Sequence, residues 1–196
     1  MARLTRKEKQ AHTRNCLMKS AAKVFARRGL QQASIDEVAG EAGYTKGAFY
    51  ANFKNKEELF LAMLDERFGE KLAEIERVAA GDDFNLAVTS DPEFDRLFFE
   101  FSAYAARNED FRQELVTRYK ALRGRVGEAI RGRAERDGVE LRISPDQIAL
   151  MTFAMAKGLA LENMLEPDAV DDELFSTMLT IFFTGLTEAQ VTQARA

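Results

Sequence analysis

The chain has 196 residues, of which 46% are hydrophobic and 31% charged, with only three prolines. This composition is typical of an ordered, helix-rich protein and excludes an intrinsically disordered one. No apolar run approaches the roughly 18–20 residues that a membrane span needs, and the basic N-terminus lacks the apolar stretch of a signal peptide. A single cysteine, Cys16, fits a reducing compartment, so we predict a cytoplasmic protein without a membrane segment.

The net charge of −4 is distributed unevenly along the chain. Residues 1–58 hold 12 Lys and Arg against 6 Asp and Glu, whereas residues 59–196 hold 16 against 26. A basic N-terminal part supplies a sequence-independent attraction to the phosphates of a nucleic acid. Charged runs are also typical of plain solvated surfaces, so the asymmetry gains weight only if it coincides with a motif for nucleic-acid binding.

The first predicted helix runs from Asn15 to Arg28, and Gly29 follows as the residue after its C-terminus. Residues 2–15 before it are basic. They are open to two interpretations, a frayed helix start, or an arm or helix end that lies along a DNA backbone.

Ser34–Phe53 predicts two short helices joined by a tight turn. Ser34 and Glu37 have the spacing of a capping box at the start of the first helix. Gly43 stands where the turn needs a residue without a Cβ, and Thr45 can cap the second helix. This is the pattern of a helix-turn-helix DNA reader.

The remaining chain continues with amphipathic helical segments, and none alternates with the period of two that a strand requires. A long helix from Asn55 precedes a loop at residues 81–92, and a segment from about Asp110 to Gly138 is open to a break near residue 117. We predict an all-α fold of about nine helices, with a three-helix headpiece in residues 1–56 and a second domain in residues 57–196.

The last two predicted helices, from Pro145 to Glu166 and from Asp171 to Thr187, are apolar on nearly every side. Such a helix must bury both sides, one in its own domain and the other against a partner. A four-helix bundle formed by two copies meets this need and presents two reading helices to two half-sites. The predicted dimerisation residues are Ala154, Leu161, Met178, Phe182 and Phe183.

Residues 34–60 closely resemble the signature of the tetracycline-repressor (TetR) family of bacterial transcription regulators. The likeness is carried by Ile35-Asp36-Glu37-Val38-Ala39, Ala42-Gly43, Thr45-Lys46-Gly47, Phe49-Tyr50, Phe53-Lys54 and Lys56-Glu57-Glu58-Leu59-Phe60. Beyond residue 80 only the length and the helix pattern agree. The resemblance implies a homodimer with an N-terminal DNA-binding headpiece and a C-terminal domain for effector binding and dimerisation. It also implies repression through an inverted-repeat operator, relieved by a small molecule.

Matched by position, the resemblance places Thr45, Lys46 and Gly47 at the base edges of the major groove. It places Tyr50 on a phosphate, together with residues at helix starts. The predicted DNA-binding set is Ser34, Tyr44, Thr45, Lys46, Gly47, Tyr50, Asn52, Lys54 and Lys56. Two of these depart from the family pattern, since Tyr44 replaces a smaller apolar residue and Asn52 replaces a histidine.

A small hydrophobic effector would need an apolar cavity, and aromatic and methionine side chains are the candidates for its lining. The predicted lining residues are Met63, Phe98, Phe101, Tyr104, Tyr119, Met151 and Met155. Each of them is also consistent with a place in the ordinary core.

An enzymatic role is not predicted, because the sequence offers no metal-ligand cluster and no catalytic partner for the single His12 or Cys16. We also predict no metal and no cofactor. The alternatives are a regulator of the same type without a small ligand, and a helical protein-interaction adaptor. Intact Lys46, Tyr50 and Lys56 argue against the adaptor. Repression and activation stay equally open, because the sign depends on where the operator lies.

Overall fold

The structure is a computed structural model, and it describes residues 5–81, 91–167, 169–171 and 173–187. Over these residues the fold is all-α, as predicted, with eight helices in place of about nine and no strand. The helices are α1 (Arg6–Gln32), α2 (Ile35–Glu41), α3 (Lys46–Tyr50), α4 (Lys56–Ala80), α5 (Pro92–Ala105), α6 (Glu109–Asp137), α7 (Pro145–Leu165) and α8 (Leu174–Thr187). Most of the loop predicted at residues 81–92 lies outside the described residues.

Helix α1 begins earlier than predicted, at Arg6, because Thr5 and Glu8 form a capping box. Gly29 interrupts the helix with φ +72°, a backbone conformation that favours glycine, and a last helical turn follows. The carboxylate of Glu100, on α5, accepts the Leu30 N–H at 2.6 Å. A Cβ on Gly29 would lie 3.3 Å from both oxygens of that carboxylate. Glycine therefore leaves room for the contact between α5 and the end of α1.

The chain divides into two compact units, Met1–Arg67 with Glu93–Leu115, and Phe68–Pro92 with Val116–Ala196. Helices α4 and α6 each contribute residues to both units. This division differs from the predicted boundary between residues 56 and 57, because α5 joins the first unit. The predicted boundary concerns functional domains and stays a prediction.

The core of the first unit is rich in phenylalanine. Phe60 stacks on Phe101 with ring centroids 3.6 Å apart, and Phe25 meets Phe101 edge-on at 6.0 Å. Phe111 packs against the same pair, at 6.4 Å from Phe60 and 5.6 Å from Phe101. Burial of such large rings is a major part of the hydrophobic stabilisation of a small unit.

The second unit has its core between α4, α6 and α7. Leu122, Val126 and Ala149 are buried, and five partly buried apolar side chains pack against them. The five are Phe68, Leu72, Ile75, Ile130 and Phe153. Helix α6 runs unbroken through residue 117, so the break considered near that residue is absent.

Helix α7 leaves much of its apolar surface exposed in the single chain. Contrary to the expectation from the sequence, α7 is long and apolar enough, by length and composition, to cross a membrane. It has a mean hydropathy of 1.3 over the best 18-residue window, of which 11% is buried. A core helix of a protein without a membrane segment can have the same length and composition, so these two properties alone are weak support for a membrane span.

Candidate nucleic-acid interface

Helix α2 is fixed at its start by local hydrogen bonds. The Ser34 hydroxyl accepts the Glu37 N–H at 3.1 Å, and the Glu37 carboxylate accepts the Ser34 N–H at 3.0 Å, which completes the predicted capping box. The Glu37 carboxylate accepts from the Ser34 N–H and also from the Ser34 hydroxyl, at 3.1 Å, and these two bonds, the N–H first, lower the pKa of Glu37 below its ordinary value. The start of α2 is therefore set by residues three positions apart.

The turn between α2 and α3 has the hydrogen bonds of a Schellman motif. The Tyr44 N–H donates to the Ala39 carbonyl at 2.8 Å, and the Gly43 N–H donates to the Gly40 carbonyl at 3.0 Å. Gly43 has φ +73°, as the prediction of a tight glycine turn requires. The turn directs the chain into the next helix within three residues.

Helix α3 has only five residues, and Thr45 caps it by accepting the Ala48 N–H at 3.2 Å. Its inner side is Phe49, which is fully buried and contacts Phe53 with ring centroids 5.8 Å apart. Thr45, Lys46, Gly47 and Tyr50 are exposed, and Tyr50 retains 52% exposure. Lys46 and Gly47 lie four and three residues before Tyr50, so these three predicted DNA-binding residues share one accessible face, and Thr45 is accessible at the start of the helix.

Lys46 is engaged in an ion pair with α2. Its Nζ lies 2.9 Å from Oδ2 of Asp36, and both side chains are more than half exposed. The pKa of Lys46 is raised above its ordinary value, chiefly because the Asp36 carboxylate accepts its hydrogen bond and attracts its charge. Lys46 is therefore fully charged at neutral pH.

Lys56 is partly buried in the first unit. Its ammonium group donates to the carbonyls of Leu30 and Ala33, each at 2.8 Å, and the side chain is half-buried. These contacts fix the start of α4 to the segment that precedes α2. Lys54, by contrast, is exposed, and its N–H donates to Glu58 at 2.7 Å.

Asn52 closes the C-terminal end of α3 by donating to the Ala48 carbonyl at 2.8 Å. Arg14 from α1 donates to the Asn52 carbonyl at 2.9 Å and covers the Phe53 ring at 4.2 Å from its centroid. Sequence reasoning placed Arg14 only in a basic N-terminal segment and missed this contact. The remaining members of the set are Ser34, which is exposed, and Tyr44, which is half-buried.

The predicted lining residues divide between the two units. Met63, Phe98 and Phe101 are buried in the first unit, where Tyr104 also donates to Glu57 at 2.9 Å. In the second unit Tyr119 contacts the rings of Phe68 and Phe153, Met155 is half-buried and Met151 is exposed.

The second unit contains a cavity of about 290 Å³. It lies between the C-terminal part of α4, the C-terminal half of α6, the following loop, and α7 and α8. Most of its lining is apolar. The lining residues are Ile75, Val78, Ala79, Val126, Ala129, Ile130, Arg133, Ala134, Asp137, Val139, Leu141, Thr152, Leu179, Phe183 and Thr184. None of the seven predicted lining residues is among them.

A metal site finds no support in the described part of the chain, where no group of three His, Cys, Asp or Glu side chains is arranged to hold an ion.

Two family profiles match the chain. The profile of bacterial regulatory proteins of the tetR family matches residues 17–63, and the profile of the BetI-type transcriptional repressor C-terminal region matches residues 62–187. The transcriptional regulator AcrR of Shigella flexneri is 42% identical over 60 residues, which are 31% of this chain and 27% of that protein. The chain aligns with only about a quarter of the length of the curated relatives that it matches first.

Solved structures share the fold over nearly the whole chain. A TetR-family regulator from Rhodococcus superposes with a TM-score of 0.74 at 22% identity, covering 90% of this chain and 99% of that one. A transcriptional regulator from Saccharomonospora viridis, solved in complex with choline, gives 0.67 at 16% identity, covering 88% and 95%. Since the C-terminal profile alone covers more than half of the chain, the chain belongs to the TetR family of DNA-binding transcriptional regulators.

Proposed function

We propose that this protein is a cytoplasmic repressor that binds an inverted-repeat operator as a homodimer and is released by a small hydrophobic effector. The observation that carries the proposal is the exposed face of α3, on which Lys46, Gly47 and Tyr50 stand free of the core while Phe49 anchors the helix from behind. A short capped helix with such a face suits the major groove.

The chemistry of that face supports the reading of base edges. Lys46 supplies a cation for guanine acceptors or phosphate, and Gly47 has no side chain to keep the backbone away from the bases. Tyr50 offers a hydroxyl to a phosphate oxygen from the same side of the helix.

Homodimerisation is supported by an exposed apolar stripe on α7. Its members recur every three or four residues, so they share one side of the helix. They are Leu150, Ala154, Gly158, Leu161 and Leu165. Leu165 is 69% exposed, and Ile181 on α8 is 68% exposed. Two of the predicted dimerisation residues, Ala154 and Leu161, belong to the stripe, while Met178, Phe182 and Phe183 are half-buried in the single chain. A second copy that covers the stripe would remove this surface from water.

An effector site is supported by the cavity of about 290 Å³ in the second unit. Its volume is near the lower end of the roughly 300–1,000 Å³ of small-molecule sites, and its lining is mainly aliphatic. Arg133 lines it but is engaged with Asp137 at 3.2 Å and with the Gly81 carbonyl at 2.9 Å. We therefore expect a small, mainly apolar effector. The choline complex of the structurally similar regulator supports a small-molecule ligand in general.

The test is operator binding by a variant that lacks the reading side chains. Genomic fragments retained by the wild-type protein would first supply the operator. K46A/Y50A should lose specific retardation of that duplex and keep the circular dichroism spectrum and the sedimentation of the wild type. K120A removes an exposed lysine from α6 and should bind normally. Retardation of the operator by K46A/Y50A at wild-type strength would contradict the proposal.

A further inference from the structure

The ion pair between Asp36 and Lys46 places an acidic group directly beside a predicted DNA-reading cation. Asp36 lies in the first turn of α2, and Lys46 is the first residue of α3. Their charged atoms are 2.9 Å apart, with side-chain exposures of 63% for Asp36 and 54% for Lys46. The pair therefore lies at the outer surface of the helix-turn-helix, within reach of a docked duplex.

We propose that Asp36 makes Lys46 selective for base edges by penalising its contact with phosphate. The inference rests on the proposed function, because it requires Lys46 to meet DNA.

The selectivity follows from the different charges of the two acceptors. An ammonium group has three donors, so Lys46 can keep its bond to Asp36 while it donates to a guanine oxygen or nitrogen, which is neutral. A phosphate brought to the same ammonium group would place a second anion close to the Asp36 carboxylate, and the two anions repel each other. Only a phosphate contact therefore requires Lys46 either to break its bond to Asp36 or to hold two anions close together.

The other acidic residues of α2 do not share this arrangement. Glu41 pairs with Arg27 at 2.8 Å and Glu37 pairs with Arg28 at 3.3 Å, so both join α2 to α1. Among the ion pairs of the described residues, only that of Asp36 reaches α3. Glu41 therefore provides a matched control, since it has the same charge and the same helix but a different partner.

The experiment compares two duplexes of equal length and composition. One is the best binder that the wild-type protein selects from a randomised pool, and the other is its scrambled sequence. D36N should bind the scrambled duplex about two- to fivefold more tightly, the range expected for loss of an exposed ion pair. For D36N, the slope of the logarithm of the binding constant against the logarithm of the salt concentration should steepen by up to about 0.9, the contribution of one added phosphate contact. The affinity of D36N for the selected duplex should rise less than its affinity for the scrambled one. The ratio of selected to scrambled affinity should therefore be lower for D36N than for the wild type.

Three variants separate the proposed role from general charge repulsion. E41Q should leave the affinity ratio at the wild-type value, and D36E, which keeps the carboxylate, should do so as well. In a K46Q background, D36N should no longer tighten binding to the scrambled duplex, because the effect acts through Lys46. Thermal unfolding of each variant confirms that α2 remains intact.

The inference is overturned if D36N and E41Q change the affinity ratio equally, or if D36N has the same effect with and without Lys46. Failure of the wild-type protein to bind either duplex would instead overturn the proposed function, and this inference with it. The two failures are distinguished by the wild-type measurement alone.

Discussion

The Lys56 ammonium group holds two backbone carbonyls of the segment that leads into α2. It donates to Leu30 and Ala33 from 26 and 23 residues away in sequence. A charged donor to a half-buried carbonyl makes one of the stronger hydrogen bonds of a protein. At the scale of single residues, Lys56 therefore positions the helix-turn-helix, whereas its phosphate contact stays a prediction.

Replacement of Lys56 should lower stability. K56M keeps much of the aliphatic stem but leaves the Leu30 and Ala33 carbonyls without the ammonium donor. Each unsatisfied group costs about 1–3 kcal/mol when buried, and these are half-buried, so we expect a total loss of about 1–3 kcal/mol. Urea unfolding followed by circular dichroism measures the change.

The control for this prediction is K54M, which removes the exposed neighbouring lysine and should leave the unfolding midpoint close to that of the wild type. Equal midpoints for K56M and K54M would show that the two carbonyl contacts contribute nothing. The salt slope of operator binding tests the other role of Lys56, because loss of a phosphate contact would make it shallower by about 0.9.

Residue contacts of this kind set a limit on sequence reasoning. The shared face of Lys46, Gly47 and Tyr50 follows from their spacing of three and four residues along a helix, which the sequence itself displays. The partners of Lys56 and Arg14 are set by tertiary packing across 23 to 38 residues, and no local pattern encodes them.

At the scale of helices, capping boxes determine three of the starts. Ser34 with Glu37 was predicted from its spacing, Ser144 with Gln147 has the same spacing, and the structure shows both boxes. Thr5 with Glu8 has the same spacing and was missed, because residues 2–15 were interpreted from their charge alone, as a frayed helix start or a contact with the DNA backbone. Local signals three residues apart were sufficient here, and the error lay in giving charge more weight than the cap.

The Glu37 cap predicts a pH dependence. The pKa of Glu37 is lowered in the folded protein from 4.5, first by the Ser34 N–H and hydroxyl and then by Arg28. A lowered folded-state pKa stabilises the protein above the unfolded pKa, and this contribution is lost as the pH falls through the folded pKa. We therefore expect the Glu37 contribution to be present in full well above its ordinary pKa of 4.5, and to be lost as the pH falls below 4.5 and through the lowered folded-state pKa.

E37Q isolates this contribution, because glutamine can occupy the same cap position, as Gln147 does in the box of Ser144. The variant should be less stable than the wild type at pH 7, and the two unfolding curves should converge as the pH is lowered. Thermal unfolding between pH 7 and pH 3 measures the difference. A constant difference across this range would contradict the assignment of the effect to ionised Glu37.

At the scale of the whole molecule, the apolar surface of α7 has to be reconciled with a protein that binds DNA in water. The sequence showed that α7 and α8 are apolar on nearly every side but not which side the fold buries. The structure places Ile148 and Ala149 inside and leaves Leu150, Leu161 and Leu165 exposed. An exposed apolar stripe on one helix is the kind of surface through which two copies can associate about a two-fold axis.

A charge placed in the stripe should separate the copies. L161K puts an ammonium group where the proposed interface would exclude water, and an unpaired buried charge is strongly destabilising. The variant should sediment as a single chain of 22.1 kDa while the wild type sediments as a dimer. Val116 on α6 is the matched control, because both residues are 37% exposed and V116K introduces the same group.

Dissociation should also weaken operator binding, because a dimer holds its second reading helix at a high effective concentration over the second half-site. The loss for L161K should be roughly 10²- to 10⁴-fold on an inverted repeat and much smaller on an isolated half-site. V116K should bind both duplexes like the wild type. If L161K keeps the dimer mass, α7 is not the interface; if it becomes a monomer with full affinity for the repeat, each copy reads its half-site independently.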